Sequence, residues 1–336
     1  MPVSQRIAAG AVGEPLAPGT AARIFTGASI PPDADAVIMQ EEAVADGDAV
    51  SFNVAPTAGQ WVRRKGEDIE AGSAILPAGT RLSPQALGLA ASVGLAQLNV
   101  YRRVRVACFF TGDELTMPGE PLKPGAIYNS NRFVLVSMLR NLGCEVTDLG
   151  IVPDSLQATR DALKSAAKDN DLIVTSGGVS VGEEDHVKPA VEAEGELQMW
   201  KLNIKPGKPL AYGQVRRSDA SLPNAHFIGL PGNPVSSFVT FLLLVRPFIL
   251  RLQGANDTGA KAIEMVADFD LPKPDRRREF LRAAINKTGA LELFANQSSA
   301  VLTSTVWGDG LIDNPGGGVI ARGQAVRFLP FDQLLN

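Results

Sequence analysis

The sequence predicts a multi-domain α/β protein built around a three-layer domain, a largely parallel sheet with helices on both faces. Three observations carry this. Between residues 104 and 252, short apolar runs alternate with helical periods, the pattern of repeated strand–helix–strand units. On either side, at 1–65 and 253–336, the chain carries β-like runs and turns without a long helical period. Its 336 residues exceed an ordinary single domain. The expected divisions are a small β module at 1–65, a helical segment at 66–103, the α/β domain at 104–252 and a C-terminal β domain, barrel or sandwich, at 253–336.

In the β module, Arg23–Phe25, Ala36–Met39 and Trp61–Arg64 read as strands, with turns at Thr26-Gly27-Ala28 and Pro31-Pro32-Asp33 between them. Ser83 then offers an N-cap and Pro84 a first helical residue, opening a helix that runs towards Gly94. In the α/β domain, Val104–Phe110, Glu145–Val152, Leu172–Val174 and Phe227–Leu230 are strands. Helices are expected at Asn131–Leu142, closed by Gly143, from a Ser155 cap to about Lys168, and at Val187–Glu194. Met199 to Lys205 alternates as one strand, with Trp200, Leu202 and Ile204 on one face and Lys201, Asn203 and Lys205 on the other. Strands at Ala262–Phe269, Arg278–Ile285, Ala290–Phe294 and Ala325–Leu329 complete the chain.

Composition narrows the function. A net charge of −4 argues against a general nucleic-acid binder. Cys108 and Cys144 lie in separate apolar contexts and make no disulfide framework, and two histidines, His186 and His226, are too few for histidine-based metal or triad chemistry. The most apolar segment, Val235–Leu250, reads as too short to span a bilayer and contains Arg246, and no signal peptide is visible. A cytoplasmic enzyme without nucleic-acid or membrane partners is expected.

The chemistry gathers in loops that follow strands. Thr175-Ser176-Gly177-Gly178 ends the run Leu172–Val174. Its two glycines admit positive φ and leave backbone N–H groups open to an anion. Thr175, Ser176 and Ser180 add hydroxyls, and Glu183, Glu184 and Asp185 add carboxylates. An ordinary strand-to-helix turn would look similar. Thr111-Gly112-Asp113-Glu114, Pro153-Asp154-Ser155 and Pro231-Gly232-Asn233-Pro234 are the corresponding loops of the other strands. Ligands of such sheets bind at the carboxyl ends of the strands. Asn233 and Pro234 open a helix whose first N–H groups could hold a phosphate, or simply start a core helix. Lys201, Lys205 and Lys208, with no acid among them, form either a polyanion face or a solvated strand face. Read as one site, the lysines hold phosphate or oxyanion and the acids Asp113, Glu114, Asp154 and Asp185 hold Mg²⁺. The single-site reading expects Asp154 and Asp185 within about 15 Å of Lys201 or Lys205.

Seven stretches in one order carry a resemblance: 23–28, 34–42, 64–69, Thr111–Leu115, Thr175–Gly182, Lys205–Pro209 and Leu230–Ser236. From about residue 6 onward the chain resembles the molybdopterin molybdenumtransferases (MoeA proteins), relatives of the gephyrin E domain. The resemblance implies a MogA-like central domain and a cytoplasmic homodimer. It implies insertion of molybdate into adenylylated molybdopterin with release of AMP and with Mg²⁺, and contact with the molybdopterin adenylyltransferase. It implies catalytic roles for Glu114, Asp154, Asp185, Lys201 and Lys205. Substrate contacts would come from Thr26, Asp68, Thr111, Ser176, Gly177, Gly178, Ser180, Lys208, Pro231, Gly232, Asn233, Pro234 and Ser298 or Ser299. A non-catalytic gephyrin-E-like scaffold or molybdopterin-binding protein is the alternative; a scaffold would need further domains and a partner groove. The family's opening helical segment with its Asp-Gly-Tyr-Ala motif has no counterpart here, so an incomplete acidic shell, a weakened dimer and poor catalysis are expected of this chain.

Overall fold

The computed structural model describes residues 1–179 and 185–335. The chain forms two compact units, Met1–Ile75 and Leu76–Asn336.

In the first unit, Val3–Ile7 pairs in parallel with Ala21–Ile24, and Ala43–Asp46 forms a hairpin with Ala49–Phe52. The strands expected at Ala36–Met39 and Trp61–Arg64 do not form. Two causes are visible. Val37 donates its N–H to the Gln60 carbonyl rather than to a ladder, and Trp61 adopts φ 58°, which breaks any extended run.

In the second unit, the helix Pro84–Ser92 starts as its sequence predicts, with Ser83 accepting from the Ala86 amide at 3.3 Å and Gly94 at φ 82° past its end. The central sheet has six strands. In spatial order they are Gly195–Lys201, Pro209–Val215, Ala225–Leu230, Leu172–Ser176, Arg105–Thr111 and Glu145–Val152. The last four are mutually parallel; the first two pairings are antiparallel. Alternate side chains enter opposite cores, as strand geometry requires. Val106, Cys108 and Phe110 pack with Leu135 and Leu139 of the helix Ser130–Asn141. Ala107 and Phe109 pack with Leu163 of Leu156–Asp169 and Val191 of Val187–Glu194. Both cysteines are free and buried, and burial pushes each thiol up to about 12.

Two expectations need correction. Met199–Lys205 is not one strand. The first strand stops at Lys201, and Ile204–Lys205 pairs with Arg278–Ile285 in the C-terminal sheet. Trp200, assigned a facing above, has its side chain outside the described residues. The apolar helix is also longer than its sequence indicated. It runs 19 residues, Pro234–Leu252, long and apolar enough to cross a bilayer, though about two-thirds of it is buried inside the protein. Pro247, which lacks an N–H, is tolerated because a π turn at Phe241–Val245 precedes it.

The C-terminal strands Ile263–Val266, Ala325–Pro330, Gly310–Asn314, Arg278–Ile285 and Leu291–Leu293 pair in that order, and a bridge from Leu291 to Ala267 closes the ring. Leu281, Leu291, Ile312 and Phe328 fill this small barrel. The strand Gly310–Asn314 has no counterpart among the sequence expectations. The barrel packs on the long helix, with the Phe238 and Phe331 rings edge to face at 5.4 Å.

Candidate functional site

The carboxyl edge of the central sheet is the candidate site, and its layout follows from register. Leu230 pairs with Ser176, Ser176 with Phe110, and Thr111 with Val152. Lys201 pairs with Pro209 at the same level on the far side. The edge therefore reads Lys201, Pro209, Pro231, Gly177, Thr111, Val152. Five strand spacings separate the strand of Lys201 from the strand that leads to Asp154. At the usual spacing that is about 24 Å. For Asp154 and Lys201 this exceeds the reach of about 15 Å expected of a compact site, so the edge is long, with Asp154 near one end and Lys201 at the other.

The middle of this edge is sterically fixed. Gly177 has φ 99°, and a Cβ there would lie 2.7 Å from the Thr111 carbonyl oxygen. Gly178 has φ 64°, and its Cβ would meet Thr111 Oγ1 at 2.9 Å. Only glycine allows strands this close with such a turn. The buried Ser176 donates its Oγ–H to the Pro231 carbonyl at 2.9 Å. Asn131 Nδ2 donates to both Ser176 Oγ (2.9 Å) and the Gly232 carbonyl (2.7 Å), so one side chain ties the two loops together. Asn131 was legible only as a helix residue; its role depends on partners 45 and 101 positions away. Thr111 Oγ1 is buried with no protein hydrogen-bond partner among the described residues, a hydroxyl at the floor of the glycine turn suited to a ligand oxygen.

The acids are spread along the same turns. The Glu114 carboxylate folds back over Gly112. Asp185 Oδ1 accepts the Val187 amide at 3.3 Å and would lie 3.4 Å from a Cβ on Gly178. Asp113 and Glu114 are exposed, and Asp154 is half-buried before the Ser155 cap. Among the described residues, no three acids, histidines or cysteines gather as a metal site. Mg²⁺ commonly takes one or two carboxylates and completes its shell with water and substrate phosphate, which Glu114 and Asp185 fit better than a protein-only cage. Ser180, Glu183 and Glu184 lie outside the described residues.

The lysine end is organised differently. Lys201 and Lys208 are exposed. Lys205 is not a free cation: its Nζ meets Glu279 Oε1 at 3.1 Å and Asp275 Oδ2 at 3.4 Å. Asn233 occupies the cap position, but its side chain makes no cap bond. The Val235 amide at the same helix start is already donated to the Ser299 carbonyl at 3.0 Å, so fewer open N–H groups remain than the sequence indicated. That bond brings the Ser298–Ser299 segment to the edge. Arg282 holds the segment from behind, donating to the Ser298 carbonyl at 3.1 Å and to Ser304 Oγ at 3.1 Å. Arg282 is buried, and burial pushes its guanidinium down to about 10, still charged at neutral pH. Thr26, in an exposed turn before Gly27, and the exposed Asp68 belong to the first unit.

Comparison with known proteins gives the family. Residues 2–94 match the MoeA N-terminal region (domain I and II), 107–251 a probable molybdopterin binding domain, and 264–331 the MoeA C-terminal region (domain IV). Fold and sequence thus define a multi-domain α/β protein with a domain of the molybdopterin-binding class. A molybdopterin molybdenumtransferase of Haemophilus influenzae is 41% identical over 324 residues, covering 94% of this chain and 78% of the relative. Molybdopterin molybdenumtransferase 2 of Mycobacterium tuberculosis is 36% identical over 323 residues, with the same coverages. The solved molybdopterin biosynthesis MoeA protein of Pyrococcus horikoshii OT3 superimposes with a TM-score of 0.82 at 26% identity, covering 98% of this chain and 80% of that one. The chain belongs to the molybdopterin molybdenumtransferase family. A gephyrin of Dictyostelium discoideum is also similar, 35% identical over 254 residues, 69% of this chain and 35% of that protein.

Proposed function

We propose that this protein completes the molybdenum cofactor by inserting molybdate into adenylylated molybdopterin and releasing AMP. The observation that carries the reading is the long carboxyl edge, with a glycine-lined anion turn in its middle and lysines at one end. A compact ion would leave most of that edge unused; a pterin dinucleotide would fill it. In this reading the phosphates lie over Gly177 and Gly178. The Gly177 amide is not open to them as the sequence indicated, since it donates to the Leu230 carbonyl at 3.2 Å, so Thr111 Oγ1 and the remaining donors of the turn hold them. Lys201, Lys205 and Lys208 receive the oxyanion, with Ser298 close behind. Glu114 and Asp185 would hold Mg²⁺, which when bound would neutralise charge on the phosphates; Asp154 would contact the substrate end nearest it.

The family relationship supports a cytoplasmic homodimer that takes its substrate from the molybdopterin adenylyltransferase. Exposed Leu87, Val93, Leu95 and Tyr101 on and after the helix Pro84–Ser92 suit a self-association face. The test is molybdate-dependent AMP release from adenylylated molybdopterin, measured with and without Mg²⁺. Release that requires molybdate, and falls in Asp185→Asn, is the expected result. Substrate binding without any release would favour the scaffold reading instead.

A further inference from the structure

The chain leaves the central sheet after Lys201, and Lys205 ends the next short strand in the barrel, directly beside Glu279 in the parallel register. Glu279 is almost fully buried, yet its carboxylate is used twice. Oε1 meets the Lys205 ammonium at 3.1 Å, and Oε2 accepts the Asp275 amide at 2.9 Å. Asp275 Oδ2 lies 3.4 Å from the same ammonium, and Arg277 pairs with Asp275 at 3.0 Å. The four charges balance, so Lys205 brings no surplus cation to the site. It brings direction. An ammonium has three N–H donors. Two face Glu279 and Asp275, and the third is left for the solvent side, where Lys205 is 38% exposed. The following turn is held too: Leu202 donates to the Lys208 carbonyl at 2.8 Å, and Gly207 packs so closely on Thr240 Oγ1 that no side chain would fit.

We propose that Glu279 is a positioning residue of the transfer reaction. Its buried carboxylate, together with Asp275, aims the remaining Lys205 donor at the oxyanion. This rests on the reading of Lys205 as a substrate-side cation. Such a residue acts only through its partner, so its effect must vanish when the partner is gone.

The experiment is a double-mutant cycle of Glu279→Gln and Lys205→Met in the full chain. Two readouts are taken, molybdate affinity by titration calorimetry and kcat/KM for AMP release. Glu279→Gln is expected to lower both by about tenfold in the native background and by less than about twofold in the Lys205→Met background. Asp275→Asn, at a less buried position, gives the same cycle should Glu279→Gln fail to fold. Equal losses in both backgrounds, or no loss in the native one, would overturn the inference while leaving the lysine reading intact. A Lys205→Met protein with native affinity and rate would instead overturn the lysine reading on which it stands.

Discussion

The glycine turn on the central sheet's edge and Lys205 on the neighbouring strand of the C-terminal sheet are built by opposite means. At Gly177–Gly178 the geometry is imposed by exclusion: positive φ, no room for a Cβ, and a buried Ser176–Asn131 network behind. At Lys205 it is imposed by attraction between a partly exposed ammonium and two barrel carboxylates, of which Glu279 is almost fully buried. The first needs only the central domain to fold. The second needs the barrel in place. A site assembled this way can have a rigid phosphate seat and an oxyanion end that depends on a separate domain.

Substitutions at the two ends should differ accordingly. Gly177→Ala forces a Cβ against the immovable Thr111 carbonyl at a φ that L-residues avoid. A stability loss on the order of 2–3 kcal/mol is expected in urea unfolding, with AMP binding reduced about a hundredfold. Intact stability and affinity would show that the turn is not sterically fixed.

Asp171 separates stability from binding, because it sits at the start of the strand that ends in the glycine turn. Its carboxylate accepts from Arg102 at 2.6 and 2.7 Å and from the Arg105 amide at 2.9 Å. Burial pushes its pKa up, but these bonds and the arginine charges outweigh burial and hold it below the usual carboxylate value. The sign follows: a depressed folded pKa gives stability that is present above the unfolded value, near pH 4, and lost as pH falls through the folded one. Asp171→Asn should cost about 1–2 kcal/mol at neutral pH, discounted because Arg102 is largely exposed, and the gap to the native protein should close in acid. Ligand affinity should not change.

Lys201→Ala should do the reverse. Lys201 is exposed at the strand end, so unfolding free energy should move by no more than about 0.5 kcal/mol. Molybdate affinity should fall by several-fold. A lowered melting temperature with native affinity would remove Lys201 from the site.

The same contrast explains what could be read from the sequence. The glycine turn, the Ser83 and Ser155 caps and the strand Glu145–Val152 are local and legible, because each depends on neighbours in the chain. Asn131, Glu279 and the Ser299 carbonyl were invisible, because each works through a partner tens of residues away. The Met199–Lys205 alternation misled for a related reason: period two marks extended chain but not which sheet receives it. Molybdopterin itself came from resemblance and family membership, not from spacing or charge.

The proposed site is one elongated edge with separate phosphate and oxyanion ends. Calorimetric titration of molybdate into protein saturated with AMP tests it most directly. Separate ends predict a molybdate affinity within about twofold of that of the AMP-free protein. Molybdate binding suppressed in proportion to bound AMP would mean that both occupy one compact pocket, and would contradict the account.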